Sequence, residues 1–190
     1  MCISSGAGPV RVMPESIPAG FDVVKDLNEL DSLLIVDLGG TTLDIAQVRG
    51  KMTGITKTYC DPDIGISLVT EAVLQALSKT NTKTSRYFAD DLLVHRHDRA
   101  YLRTRVNDEQ QLMAVLSAIT EKESMLVRRV QDAVSNFSGY THAMVIGGGA
   151  EIIAQIVKKT TGIKENRFFK SQEPQLDLVN GMMAMGKASE

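Results

Sequence analysis

The chain has 190 residues, the size of one compact domain with room for a small insertion. Its composition, with 43% hydrophobic and 23% charged residues, is ordinary for a globular protein and excludes a disordered, collagen-like or disulfide-stapled chain. The formal net charge of -2 gives no overall reason to expect binding to nucleic acid or to a membrane surface. Cys2 and Cys60 are too few for a thiolate metal site.

The N-terminal segment has neither the basic nor the apolar stretch of a secretory signal. No apolar run approaches the ~20 residues that are needed to cross a bilayer. We therefore expect a soluble, cytoplasmic protein with no direct nucleic-acid partner and no membrane partner. Residues 1–9 are small and polar without a period, which predicts a disordered start or a remnant of cloning.

Three strands are predicted first along the chain. Residues 33–36 are all apolar, which is typical of a strand buried on both faces. Two further β-like stretches follow at 42–48 and 52–59, with a hairpin connection at 49–51. Strands at this spacing predict an antiparallel meander.

Helices dominate the rest of the chain. Apolar spacing predicts a helix that begins near Ile66, and residues 83–105, which are rich in arginine, predict a small exposed insertion. Asn107 and Gln110 are interpreted as the N-cap pair of a long helix that Gly139 ends.

The buried stripe of that long helix is predicted from seven apolar residues: Leu112, Leu116, Ile119, Leu126, Val130, Val134 and Phe137. A strand at 143–146, a glycine triplet, another helix, and a last helix that begins near Pro174 complete the pattern. The order predicts an α/β fold, with one mixed sheet and helices packed on it.

The strongest chemical motif follows the first strand. Gly39 and Gly40 allow close approach of a ligand, and successive N–H groups in such a turn can bind an anion, to which Thr41 and Thr42 add hydroxyls. Asp37 could hold a hydrated Mg²⁺ beside phosphates. The alternative is a hairpin that merely needs glycine, with its acidic residues bonded to turn amides.

A second motif, Gly147-Gly148-Gly149, lies between a predicted strand and a helix. The free N–H groups of a helix N-terminus favour a phosphate or a flat ligand there. The dinucleotide pattern is not met, because Ile152 occupies its last position. Alone, the triplet is equally typical of a simple tight turn between a strand and a helix. Glu15, in a loop between two prolines, could position an attacking water, although an exposed glutamate usually has no such role.

Together these segments resemble the actin/Hsp70/sugar-kinase ATPase superfamily and, more narrowly, the ParM (StbA) family of actin-like plasmid-segregation ATPases. The resemblance covers residues 10–186 and rests on five ordered segments: VMPESIPAG (12–20), DLGGTTLD (37–44), ADD (89–91), FSGYTH (137–142) and DLVNG (177–181). It implies a ribonuclease H-like, actin-type lobe formed by residues 10–82 and 106–190, with a small subdomain at 83–105 that helps to make filament contacts.

The resemblance also implies the site. Glu15 would position the hydrolytic water, Asp37 would lie beside Mg²⁺, and ATP or ADP would be the ligand. Its β- and γ-phosphates would lie on residues 39–42, and its adenosine on residues 147–149. Implied partners are other copies of the protein in a filament and an adaptor protein bound to centromere-like plasmid DNA.

Family members clamp nucleotide between two lobes, and only nine residues precede Val10. We therefore expect this chain to be a second-lobe fragment that binds ATP weakly or not at all and hydrolyses little or none, because one wall leaves the attacking water loosely held. One alternative is a non-catalytic half-actin module that binds filaments or the adaptor and regulates them. A sugar or acetate kinase is a further alternative, but it leaves the ParM-like segments unexplained.

Overall fold

The computed structural model describes residues 13–79 and 85–188. Its five-stranded sheet has the order β3-β2-β1-β4-β5, in which β1 and β2, and β2 and β3, pair antiparallel, while β4 is parallel to both β1 and β5. The strands are β1 (Ser32–Leu38), β2 (Leu43–Arg49), β3 (Ile55–Asp61), β4 (His142–Ile146) and β5 (Phe168–Phe169). The predicted meander and mixed sheet are confirmed, whereas the two-residue β5 was missed.

Seven α-helices lie within the described residues: α1 (Phe21–Val24), α2 (Ser67–Ser78), α3 (Arg86–Val94), α4 (Arg99–Arg105), α5 (Glu109–Ser135), α6 (Ala150–Thr161) and α7 (Asp177–Lys187). A 3-10 helix at Pro18–Gly20 precedes α1. No helix in this part of the chain combines the length and the apolar character that a membrane span requires.

The core lies on both faces of the sheet, and β1 divides its side chains between the two. Leu34 and Val36 pack with residues of α2, α5 and α6, whereas Leu33 and Ile35 pack with Ile17 and other residues around α1. Successive side chains of a strand point to opposite faces, so a strand covered on both sides is apolar throughout. This arrangement explains the continuous apolar run in β1.

Three predicted element ends were wrong. Asp108 is the N-cap of α5, because its side chain accepts a hydrogen bond from the Gln111 amide at 2.9 Å, and Asn107 precedes it. Helix α5 ends at Ser135, before the predicted stop at Gly139, whose φ of +76° lies in the following turn. Helix α7 begins at Asp177, three residues beyond Pro174. The predicted stripe of α5 is buried except for Leu116, which is half-buried.

Residues 85–105 form the helix pair α3 and α4, capped by the side chains of Ser85 and Asp98. The segment is less exposed than predicted, since Leu92 and Leu102 are fully buried in the core cluster that contains Leu34. Its status as a separate subdomain, and the boundaries of the surrounding lobe, stay predictions. Residues 1–9 and 83–84 lie outside the described part of the chain.

Candidate functional site

The two glycine motifs meet at one end of the sheet. Strands β1 and β4 are parallel neighbours, with Asp37 in register with Ile146, so the turns that follow them emerge side by side. In open α/β sheets, ligands bind at the carboxyl ends of the parallel strands. The structure therefore places the turn at residues 39–42 and the turn at residues 147–149 side by side.

Asp37 lies directly against Gly147. A Cβ atom added to Gly147 would overlap Oδ1 of Asp37 and would lie 2.5 Å from the carbonyl oxygen of Leu38. Gly147 also has a φ of +86°, and its amide donates to the carbonyl oxygen of Pro174 at 3.0 Å. Glycine is thus required here for the turn itself and for the approach of two backbones.

The other two glycines of the triplet differ from each other. The Gly149 amide donates to the carbonyl oxygen of Leu38 at 2.9 Å, and a Cβ on Gly149 would overlap the Leu38 side chain. Gly148 is exposed, and nothing lies within 4 Å of the position that its Cβ would take. Of the three predicted adenosine-binding glycines, Gly148 is the one that faces open space. Helix α6 begins directly after them and has no side-chain N-cap bond.

The turn after β1 is held from both sides. The Gly39 amide donates to the carbonyl oxygen of Thr42 at 2.9 Å, which closes the turn. The carbonyl oxygens of Gly39 and Gly40 accept hydrogen bonds from the amides of Ile66 and Ser67, at 3.1 and 2.8 Å, where α2 begins. The backbone of this turn is therefore fixed before any ligand arrives.

Part of the turn remains open. Within residues 13–79 and 85–188, the amides of Gly40 and Thr41 meet no hydrogen-bond acceptor. Both residues are exposed, and a Cβ on Gly40 would have no neighbour within 4 Å. Gly65 packs so closely under the turn that a Cβ there would lie 2.5 Å from Cα of Thr41. Bonds from acidic side chains to turn amides, which the alternative of a simple hairpin predicted, are therefore not found at Gly40 and Thr41 among the described residues, and these two amides face solvent.

The site is strongly acidic. Asp37 pairs with Asp44 across β1 and β2, and Asp44 pairs with Cys60 across β2 and β3, so the three side chains share one face of the sheet. Burial, and then the charges of Asp44, Glu15 and Asp177, raise the pKa of Asp37 from 3.8 to about 6. Carboxylates this close repel one another, and a bound cation would relieve that repulsion.

Glu15 belongs to this acidic group. It is exposed in the turn that leads to the 3-10 helix at Pro18–Gly20, where the Ile17 amide donates to the carbonyl oxygen of Pro14 at 3.2 Å. The neighbouring residues Ser16 and Ile17 are buried, which anchors the turn. The structure brings Glu15 close enough for its charge to act on Asp37.

Asp177 is an acidic residue whose charge acts on Asp37 and to which the sequence assigned no role. It is the first residue of α7 and is only 9% exposed. Gly181, one turn later, fixes the helix, because a Cβ there would overlap the carbonyl group of Pro18. Sequence carried two signals: Asp177 opens the ParM-like segment 177–181, to which no role was assigned, and it is an acidic residue that follows a proline near a helix start, where such residues are common.

A groove between α5 and α6 was also missed. It has a volume of about 370 Å³ and begins at Glu151, two residues after Gly149. The partly buried ion pair between Arg96 Nε and Glu123 Oε1, at 2.6 Å, contributes to its wall. The lining residues are Arg96, His97, Thr120, Glu123, Ser124, Val127, Glu151, Ile152 and Gln155. Only tertiary packing brings these residues together, so no local sequence pattern marks the groove.

The donor set suits a hydrated cation. No group of three or more His, Cys, Asp or Glu side chains within the described ranges is placed to hold a metal ion by itself. Mg²⁺ is usually bound through one or two carboxylates and keeps several waters, with phosphate oxygens as further ligands. Asp37, with its exposed neighbours Gly40 and Thr41, fits that mode of binding.

Comparison with known proteins gives the family. The family model described as "Plasmid segregation protein ParM, C-terminal" matches residues 27–185. No curated protein sequence matches the chain.

Solved structures of actin-like proteins are similar in fold. A non-polymerisable quadruple mutant of pCBH ParM is 14% identical with a TM-score of 0.67, over 93% of this chain and 54% of that protein. A ParM from a 15-stranded filament of Clostridium botulinum is 14% identical with a TM-score of 0.62, over 92% and 51%. Ta0583, an archaeal actin homolog in complex with ADP, is 13% identical with a TM-score of 0.64, over 93% and 57%.

The chain spans about half the length of each of these three proteins. The family match covers most of the chain, from β1 to α7, and the structural matches cover nearly all of it. The chain thus has an actin-like α/β fold and belongs to the ParM plasmid-segregation family.

Proposed function

We propose that this chain is the nucleotide-binding second lobe of a ParM-type, actin-like ATPase. The observation that carries the proposal is the set of open amides of Gly40, Thr41 and Gly148, which lie beside Asp37 where the parallel strands β1 and β4 end. Backbone N–H groups in such turns and at helix N-termini bind phosphate oxygens. The proposed ligand is ATP or ADP with Mg²⁺; in support, the actin homolog Ta0583 was solved in complex with ADP.

Each part of the nucleotide is proposed to contact particular residues of the site. Residues 39–42 bind the β- and γ-phosphates, chiefly through the amides of Gly40 and Thr41. Asp37 holds Mg²⁺ through water, and the metal would neutralise phosphate charge there. Gly148 contacts the adenosine, whose base enters the groove that begins at Glu151. Glu15 orients the water that attacks the γ-phosphate.

The opposite wall of the cleft would come from a first lobe; in support, this chain spans only about half the length of the ParM structures it resembles. Support comes from the start of α7, where large apolar side chains are exposed on either side of Asp177: Leu176 just before the helix, and Val179, Met182 and Met183 within it, at 44, 55, 58 and 58%. An apolar face beside a ligand site is typical of an interface. We define these four residues as the α7 face.

The sequence predicted weak binding or none for the 190-residue chain by itself, and little or no hydrolysis; the open amides of Gly40 and Thr41 narrow that expectation to weak binding. Phosphoryl transfer depends on positioning and on charge stabilisation from all sides, and a one-walled site supplies neither fully. Such a site also covers less of the ligand than a closed pocket, which buries about 70–90% of it.

In the cell, the two-lobed protein would assemble into ATP-dependent filaments in the cytoplasm and partition plasmids, with an adaptor protein linking filament to centromere DNA. The ParM from Clostridium botulinum was solved as a filament. A second candidate is a non-catalytic half-actin module that binds and regulates such filaments, and the exposed α7 face favours it.

Titration with a fluorescent ADP analogue, with and without Mg²⁺, tests the proposal, and phosphate release from ATP is followed in parallel. We expect weak, Mg²⁺-dependent binding and negligible release. Absence of binding at millimolar nucleotide would contradict the proposed site. Clear hydrolysis of ATP that the substitution Glu15→Ala abolishes would instead contradict the proposal that this chain forms only one wall of the nucleotide cleft. Pelleting with full-length filaments but no nucleotide binding would favour the regulatory module.

A further inference from the structure

Strand β3 forms one edge of the sheet. It runs from Ile55 to Asp61 and, within the described residues, pairs only with β2. Its first six residues are exposed and the seventh is half-buried. Isoleucine, threonine and tyrosine, which make up much of the strand, favour extended backbone. An edge strand of this kind presents a row of unpaired N–H and C=O groups, which is a template for another strand.

The direction of the backbone bonds shows which groups of β3 point outward. The Gly39 amide donates to the Thr42 carbonyl oxygen at 2.9 Å, so Thr42 is directed toward β1. Because bonding direction alternates along an antiparallel strand, the odd-numbered residues of β2 bond to β3. Their partners in β3 are also odd-numbered, so the N–H and C=O groups of Thr58 and Cys60 point away from the sheet. In the part of the chain that the structure describes, these outward groups meet no partner.

The strand is complementary to a second copy of itself. If two β3 strands pair antiparallel about Tyr59, Thr58 of each copy exchanges both backbone bonds with Cys60 of the other. The same register places Tyr59 opposite Tyr59, and Lys57 opposite Asp61 twice. Aromatic pairs and opposite charges directly across two strands stabilise a sheet. No other register within β3 pairs both charges, so the sequence of the strand favours this one.

The two charged side chains are available for that pairing. Lys57 Nζ donates to the carbonyl oxygen of Asn136, the C-cap of α5, at 2.6 Å and lies 4.8 Å from the centre of the Phe137 ring. An ammonium group has three donors, so it can also bind a carboxylate. Asp61 accepts a hydrogen bond from the Tyr59 hydroxyl at 3.1 Å. Among the described residues, neither Lys57 nor Asp61 forms an ion pair.

We propose that β3 is an interface between two copies of this chain, in which two β3 strands pair antiparallel about Tyr59 and join the two five-stranded sheets into one. Such a two-fold contact uses the same surface on both copies, which explains why the charges are arranged symmetrically about Tyr59. The interface goes beyond the proposed function and does not depend on it. One strand from each copy buries far less than the ~1,600 Å² of a standard interface, so the association is weak.

Disulfide formation tests the interface and its register. The two Cα atoms of a hydrogen-bonded antiparallel pair are about 5.5 Å apart, a distance that a disulfide spans. Treated with the oxidant diamide, Cys2→Ser/Thr58→Cys should therefore form a covalent dimer, linked from residue 58 of one copy to the exposed Cys60 of the other. The matched control, Cys2→Ser/Thr56→Cys, places its new thiol opposite Pro62 and should stay monomeric. Cys2→Ser alone should also stay monomeric.

A second measurement follows association without a covalent bond. Sedimentation equilibrium is measured in the Met182→Ser/Met183→Ser background, so that the α7 face contributes little. Adding Lys57→Glu places like charges opposite one another and should raise the dissociation constant of the dimer at least about tenfold. Adding Asp61→Lys to that variant restores opposite charges and should restore association. The matched control is Lys51→Glu, at an exposed lysine between β2 and β3, which should have no effect.

Several results would overturn the proposal. A covalent dimer of the Thr56→Cys variant, a dimer linked through Cys60 alone, or no covalent dimer of any variant would exclude the proposed register. A dissociation constant that Lys57→Glu leaves unchanged would exclude the charge pairing. Both measurements are made without nucleotide, so their failure would leave the proposed function untouched.

Discussion

Asp37 of β1 lies directly opposite Asp44 of β2, and the two carboxylates share the face of the sheet on which Glu15 and Asp177 also act. Like charges directly opposite one another destabilise a pair of strands. This acidic grouping lowers the stability of that end of the sheet, and the proposed cation and its anionic ligand would relieve it.

The first prediction concerns pH and Asp37. Because its pKa in the folded chain is about 6, above the 3.8 of a free carboxyl, the folded state holds a proton between these values that the unfolded state has lost. The free energy of unfolding therefore falls as pH rises through this window, by up to about 3 kcal/mol. The Asp37→Asn variant should lack this fall in the free energy of unfolding. At neutral pH it should be more stable than the unmutated chain by about 1–3 kcal/mol.

Urea unfolding at a series of pH values checks this prediction. Asp22→Asn, at an exposed and ion-paired aspartate, is the control and should keep the pH dependence of the unmutated chain. A pH profile of Asp37→Asn that coincides with that of the unmutated chain would show that Asp37 titrates normally.

The second prediction separates the glycines of the triplet. Gly147→Ala should destabilise the fold by about 1–3 kcal/mol, because residue 147 has a positive φ and its Cβ would overlap Asp37 and Leu38. Gly148→Ala should change stability by no more than about 0.5 kcal/mol, since nothing lies near its Cβ position, yet it should weaken ADP binding. Denaturation and ADP titration of both variants measure this. Equal destabilisation by the two substitutions would be inconsistent with it.

The third prediction concerns the groove between α5 and α6, where we place the adenine base of the nucleotide. Ser124 lines the groove between α5 and α6, and its hydroxyl donates to the Thr120 carbonyl oxygen at 2.7 Å. Ser124→Trp should fill the groove and lower ADP affinity at least about tenfold, which corresponds to the 1–3 kcal/mol of a stacked base. Pyrophosphate binding should not change.

A matched control exists on the same helix. Ser135 is exposed and donates in the same way, to the Gln131 carbonyl oxygen at 2.8 Å, but it does not line that groove. Ser135→Trp should leave ADP affinity unchanged. If the two variants lost ADP affinity equally, the groove would not be the base site.

The fourth prediction concerns the α7 face. Because Met182 and Met183 are each 58% exposed, the chain alone should bind a hydrophobic dye and associate weakly. The double variant Met182→Ser/Met183→Ser should bind less dye and self-associate less, as measured by dye fluorescence and by sedimentation. Met113→Ser, at a methionine that is 51% exposed on α5, is the control and should have little effect. Unchanged association in the double variant would argue against an interface on α7.

The sequence predicted the meander, the strand that leads to Asp37 and the two glycine turns, because each of these is marked by a short local pattern. It missed β5, since two residues carry no periodicity and pair only because β4 is present. It placed the α5 cap one residue early, because Asn107 and Asp108 are both good caps and only the bond to Gln111 distinguishes them.

The division of roles among the glycines was not predictable either. Gly147 and Gly149 are required by their contacts with Asp37 and Leu38, and Gly148 alone is open, although the three are identical in sequence. Asp177 and the groove beside Glu151 depend on elements that are distant along the chain. Such contacts arise from tertiary packing, which local propensity does not report.

Under the proposed function, open backbone amides at the ends of β1 and β4 bind the phosphates of a nucleotide. Titration of the isotope-labelled chain with millimolar ADP and Mg²⁺, followed by amide chemical shifts, tests it most directly. We predict saturable shifts at Gly40, Thr41 and Gly148 and none at Gly139 or Gly162, which lie in turns outside the site. Shifts confined to other regions, or no shifts at any ADP concentration, would show that these amides do not bind the phosphates.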